Sequence, residues 1–163
     1  MKQGFVKVAS ATPRIRVADP VYNAQVICEQ AKEAAEHGAK IVVFPELCIT
    51  GYTCNDLFLQ ELLLEKAKEA LLTIAEETGQ LETLFLVGLP VDKDGRLYNV
   101  AAVLYRGRIL GMIPKKNIPM YAEFYEGRHF TPGEETVTEY RLGKQVIPFG
   151  SNLLFRCEEL PEL

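Results

Sequence analysis

The stretch Ala39-Lys40-Ile41-Val42-Val43-Phe44-Pro45-Glu46-Leu47-Cys48-Ile49-Thr50-Gly51-Tyr52 decides the architecture. Ile41 to Phe44 is an unbroken run of β-branched and aromatic residues, the pattern of a strand covered on both faces. Pro45 has no backbone N–H and ends the ladder. Glu46 then stands at the carboxyl end of a buried strand, where open α/β sheets carry their sites. A carboxylate there is either an ordinary solvated strand end or a partly desolvated group suited to general-base work. Gly51 supplies a turn, and Tyr52 adds an amphipathic ring.

Upstream, Phe5-Val6-Lys7-Val8-Ala9 alternates apolar and polar residues and predicts a first strand. Asp19-Pro20 is a helix start, with Asp as N-cap and Pro at the first helical position. The spacing predicts a helix to about His37, with Val21, Ala24, Ile27, Cys28, Ala31, Ala34 and Ala35 facing inward. Gly38 ends it, and His37 suits the helix C-terminus as a cation. Strand, helix and strand make a β-α-β unit with parallel strands.

Downstream, Thr53-Cys54-Asn55-Asp56 reads as a polar turn. A second helix is expected over Glu61 to Thr78, with Leu62, Leu63, Ala67, Ala70, Leu71 and Ile74 as its apolar stripe. Leu84 to Val87 is a third buried strand, ending before Gly88-Leu89-Pro90. Asp92-Lys93-Asp94-Gly95 then turns the chain into a strand over Leu97 to Leu104, and Arg106-Gly107-Arg108 turns it back over Ile109 to Ile113. Parallel crossovers followed by a meander predict an α/β fold with helices on one sheet face and mixed strand directions. Pro114-Lys115-Lys116-Asn117-Ile118-Pro119 interrupts the last of these strands. Lys115 follows an apolar segment, as Glu46 does. It is either a solvated strand end or an ammonium placed to stabilise a developing oxyanion. Met120 to Gly133 reads as an aromatic-rich loop over a pocket, and Phe149 to Phe155 as one more strand.

With 163 residues, 48% of them hydrophobic and 25% charged, the composition is that of one soluble domain. A net charge of −4 opposes nucleic-acid binding, which needs clustered Lys and Arg. No apolar run is long enough to span a membrane and no leader pattern precedes the first strand, so a cytoplasmic location is expected. Cys28, Cys48, Cys54 and Cys157 have neither Cys-x-x-Cys spacing nor a nearby histidine, which predicts free thiols and no metal site. Gly95 and Gly107 belong to hairpin turns, so no phosphate-binding loop is read.

Val43 to Tyr52, Gly88-Leu89-Pro90, Leu97-Tyr98-Asn99, Pro114-Lys115 and Phe130-Thr131-Pro132-Gly133 together resemble the nitrilase superfamily of carbon-nitrogen hydrolases. Thr50 to Phe58 and Pro119 to Glu126 are similar to the glutaminase domains of glutamine-dependent NAD synthetases. The resemblance covers residues 1–163 as the N-terminal portion of such a domain. It implies a four-layer α-β-β-α sandwich, incomplete in this chain, and a Glu-Lys-Cys catalytic set. Glu46 matches the general base and Lys115 the oxyanion-stabilising lysine. Glu123 matches a second, substrate-positioning glutamate, and Tyr121 and Phe124 match walls of a glutamine pocket. Ammonia from glutamine would feed a separate synthetase domain, where ATP and magnesium are expected. No cofactor is expected in these residues.

In that family the nucleophilic cysteine ends a further strand after the lysine, in a context like Ile-Cys-Glu-Asp, and nothing here has that form. Cys157 is preceded by Arg156 rather than by an apolar strand. The chain is therefore expected to stop short of the nucleophile, to be inactive alone, and either to self-associate as a homo-oligomer through unfinished sheet surface or to fold its C-terminal segment over that surface. The alternatives are a stand-alone amidase or carbamoylase and, in another class, a non-catalytic self-associating module.

Overall fold

A computed structural model describes residues 5–158. A single seven-stranded sheet runs in the order β1-β2-β3-β4-β5-β7-β6. Its strands are β1 Val8–Ser10, β2 Ile41–Val43, β3 Leu84–Lys93, β4 Arg96–Tyr105, β5 Arg108–Pro114, β6 Thr138–Leu142 and β7 Gln145–Phe149. β1, β2 and β3 are parallel, β3 to β5 form an antiparallel meander, and β7 joins β5 in parallel. Mixed strand directions are thus observed as expected.

Helix α1, Pro20–Glu36, links β1 to β2, and α2, Glu61–Glu77, precedes β3. Asp19 caps α1 by accepting a hydrogen bond from Tyr22 N, and Pro20 opens it. His37 is its C-cap, with Nδ1 2.8 Å from Glu33 O. Both helices lie on one sheet face. Ile27 and Ala31 of α1 and Leu71 and Ile74 of α2 pack there with Phe85, Val87, Leu89 and Val91, the alternate residues of β3.

Several sequence expectations are corrected. Val21 and Leu62 point to solvent rather than inward, because each falls beside the arc of its helix that meets the sheet. β2 is covered on one face only: Val42 is fully buried, whereas Val43 is 44% exposed. A run without alternation hides which of its faces is bare. The first strand begins later than expected, at Val8, and β3 continues through Gly88-Leu89-Pro90 into the hairpin. The turn after Tyr52 is an irregular 3-10 segment, Tyr52–Leu59, with Cys54 and Phe58 buried.

The β6–β7 hairpin falls where the sequence predicts no strand, and of the strand expected over Phe149 to Phe155 only Phe149 is extended, as the end of β7. Pro148 disguises β7, in which it pairs opposite Glu139 of β6. The alternation of Leu153 and Phe155 comes instead from lying across the second sheet face. A Cβ on Gly111 would sit 3.0 Å from Leu153 Cδ1 and 2.9 Å from Phe155 Cζ.

Candidate active site

Glu46 is held by an unusually close approach of its loop to β3. Phe44 N donates to Leu86 O at 2.9 Å and Ile49 N to Gly88 O at 3.2 Å, so residues 45–48 arch over Gly88. A Cβ at Gly88 would lie 2.4 Å from Leu47 N and 2.7 Å from Pro45 O; only glycine admits this path. Leu47 adopts a left-handed backbone at φ 52°, and its carbonyl accepts from Gly51 N at 2.7 Å. That strained residue is stabilised by its buried side chain, which joins Cys54, Phe58, Leu63 and Phe130 in a small second core. This core lies under all the segments that carry the site.

Lys115 follows β5. Its N–H donates to Asn99 O at 2.7 Å, and its carbonyl accepts from Gly133 N at 2.9 Å. Its Nζ reaches Glu46 Oε1 at 2.8 Å and both oxygens of Glu126 at 2.9 Å. The two residues read from the sequence as strand-end charges, 69 positions apart, thus share one ion cluster. Asn99, buried in β4, also donates to Glu46 Oε1. Tyr52 O–H donates to Glu126 Oε1 at 2.8 Å.

The Glu126 side chain is 5% exposed, the Lys115 side chain 29% and the Glu46 side chain 40%. Burial alone would weaken the hold of Lys115 on its proton, but hydrogen bonds and charge from Glu46 and Glu126 outweigh it and raise its pKa. The ammonium is therefore fixed as a cation. Burial, and then the hydrogen bond and charge of Glu126, push the Tyr52 hydroxyl up, so Tyr52 is a neutral donor. The cluster combines one open carboxylate, one permanent cation, one buried carboxylate and a phenol.

The sequence points to Glu123 as the second glutamate; the carboxylate that reaches Lys115 is Glu126, three residues on. Glu123 is exposed, and its charge acts on Tyr52 from a distance. Tyr121 is exposed and Phe124 half-buried, their rings edge to face at 5.5 Å beside the cluster's loop. The signal for Glu126 is its place between Tyr125 and Gly127 in the aromatic stretch, and for Asn99 a polar residue inside an apolar strand.

Burial pushes the thiol of Cys48 up to about 12 and that of Cys28 to about 11, and also raises that of Cys54. These three are protonated packing residues. Cys157 is half-buried in the segment that crosses Gly111. Among the described residues no three His, Cys, Asp or Glu side chains converge as a metal site. Likewise, no described helix is long and apolar enough to cross a membrane.

A helix-backed mixed sheet that brings Glu46 and Lys115 past its strand ends to Glu126 of a loop defines a nitrilase-like frame. The chain belongs to the carbon-nitrogen hydrolase family, whose pattern matches residues 7–152. It is 39% identical over 160 residues to the glutamine-dependent NAD(+) synthetase of Mycobacterium tuberculosis, covering 98% of this chain and 24% of that protein. The crystal structure of a glutamine-dependent NAD(+) synthetase from Cytophaga hutchinsonii superposes with a TM-score of 0.87 at 28% identity, over 94% of this chain and 26% of that one. An amidase from Nesterenkonia sp. shares the fold, with a TM-score of 0.65 at 24% identity over 88% of this chain and 54% of that one. The chain spans about a quarter of the length of the synthetases it matches.

Proposed function

We propose that this chain carries the acid–base half of a glutaminase site, which releases ammonia from the side-chain amide of glutamine for NAD synthesis. The observation that carries this is the Glu46–Lys115–Glu126 cluster, set in a chain whose relatives are glutamine-dependent NAD synthetases. Glu46 takes the proton of a cysteine thiol, and the thiolate attacks the amide carbon. Lys115, held charged by its two carboxylates, stabilises the oxygen of the tetrahedral intermediate. Glu46 returns that proton to the departing nitrogen, so ammonia leaves, and the freed carboxylate then takes a proton from the water that cleaves the thioester. Glu126 keeps the ammonium aimed, and Tyr121, Glu123 and Phe124 bound the side on which glutamine enters.

The thiol is the part that Cys28, Cys48 and Cys54 do not supply, being buried and protonated. Cys157 follows Arg156 and lies in no strand, so it is poorly placed for the role, and no ammonia release is expected from these residues alone. ATP and magnesium act in a different part of such an enzyme. A cytoplasmic setting and self-association belong to the same proposal.

Ammonia release from glutamine tests it. The 163-residue chain should release none above the blank. The same chain extended along its reading frame through the next cysteine-bearing strand should release it, and Glu46→Gln or Lys115→Ala should abolish that release. Robust release by the short chain that disappears in Cys157→Ser would overturn the assignment of the nucleophile. An extended chain that prefers short aliphatic amides would make it an amidase instead.

A further inference from the structure

Asn99 stands on β4 between the two charged partners of the site and touches both. Its main-chain carbonyl accepts from Lys115 N at 2.7 Å, and its side-chain Nδ2 donates to Glu46 Oε1. The residue is 3% exposed. A carboxylate can only accept, so the amide must present its nitrogen to Glu46. Lys115 Nζ donates to the same oxygen at 2.8 Å. Both donors therefore fall on Oε1, and no described residue donates to Oε2.

We propose that Asn99 is a positioning residue that gives the two oxygens of Glu46 different tasks, anchoring Oε1 and leaving Oε2 to move the proton. This rests on Glu46 being the general base. The three N–H donors of Lys115 are occupied by Glu46 Oε1 and the two oxygens of Glu126. To donate to an oxyanion, Lys115 must loosen one of these bonds. The Asn99 bond need not change at that moment, so Glu46 keeps its orientation while Lys115 turns to the substrate. An acidic residue at position 99 would set a third carboxylate against Glu46 and Glu126. An apolar one would leave Glu46 free to swing whenever Lys115 lets go. The thiol and, later, the water approach Glu46 from its Oε2 side.

The Asn99 side-chain amide signals in a ¹H–¹⁵N spectrum of this chain test the contact directly. One Nδ2 proton should be strongly displaced from its geminal partner, the displacement should shrink in Glu46→Gln, and it should survive in Lys115→Met. Asn99 signals indifferent to Glu46→Gln, or collapsing in Lys115→Met, would overturn the proposal. In the extended, ammonia-releasing chain, Asn99→Leu should lower kcat about 100-fold, the cost of a misplaced catalytic group. KM for glutamine should stay within about twofold, and the acid limb of the pH profile should move. A residue that merely supports the fold would leave the profile in place. Failure of ammonia release with an intact spectral signature would overturn the glutaminase assignment and with it the catalytic role of Asn99, leaving only its contact with Glu46.

Discussion

Asn23 shows what single polar residues do in this fold. It is fully buried in α1, accepts from Arg16 N at 2.7 Å, and donates to Arg16 O at 2.7 Å and Ile49 O at 2.9 Å. It thereby ties the segment before α1 to the loop that carries Glu46. Asn23→Ala strands one donor and two acceptors away from water and should cost about 2–4 kcal/mol in urea unfolding. A loss below about 0.5 kcal/mol would mean that the loop has another anchor. No local pattern announces this residue. A polar side chain on the inner face of a helix breaks the apolar stripe, and the sequence does not say which carbonyls it meets. Glu46 and Lys115 are legible because each follows an apolar run closely bounded by proline, a local feature. Glu126 is not, because its partner is Lys115, brought within 2.9 Å by the fold of a loop without regular spacing.

At the scale of elements, the position of the site depends on β2, β3 and β4 lying in register. Gly88 pairs with Ala101 on β4, and Pro90 with Asn99, so the residue that admits the Glu46 loop is two rungs from the one that orients its carboxylate. Gly88→Ala should cost about 1–3 kcal/mol by overpacking and push the loop off β3. The check is urea unfolding together with the Asn99 amide spectrum: stability should fall, and the Glu46-dependent displacement should shrink. An unchanged spectrum would show that the arch accommodates a methyl group. The two central hairpins can be read from sequence because Asp94-Gly95 and Arg106-Gly107 place two consecutive residues at positive φ, a demand met locally. The β6–β7 hairpin also turns at a positive-φ glycine, Gly143, but its charged, proline-containing strands conceal it.

For the whole molecule, alkaline stability and association are the measurable consequences. Hydrogen bonds to Glu46 and Glu126 raise the pKa of Lys115 against burial, and those to Asp92 and Glu65 likewise raise that of Lys68. A lysine that holds its proton more tightly when folded contributes stability that is complete below its ordinary value of 10.5 and lost as pH rises through the folded value. Tyr52, raised by burial and Glu126, acts in the same direction above 10.0, because ionisation is easier in the unfolded chain. The urea midpoint should hold to about pH 9.5 and fall steadily above it, less steeply in Lys115→Met. A midpoint flat to about pH 12 would contradict the ion cluster. Separately, the face of the sheet away from the helices leaves Val43 44% and Val8 64% exposed. Bare strand surface of this kind drives association. Light scattering should show oligomers that Val43→Lys weakens; a compact monomer resistant to trypsin throughout would argue against it.

Local sequence is enough to specify the helices, the parallel start of the sheet, the two central hairpins and the strand-end positions of Glu46 and Lys115. Each is written in spacing, caps or turn residues within a few positions of itself. Packing is needed to turn Val21, Leu62 and Val43 outward, to bring Glu126 rather than Glu123 to Lys115, and to set Asn99 on Glu46 Oε1. Those outcomes depend on which surfaces meet across 11 to 69 positions of chain. A side chain's neighbours at that range are fixed by tertiary contact, not by periodicity.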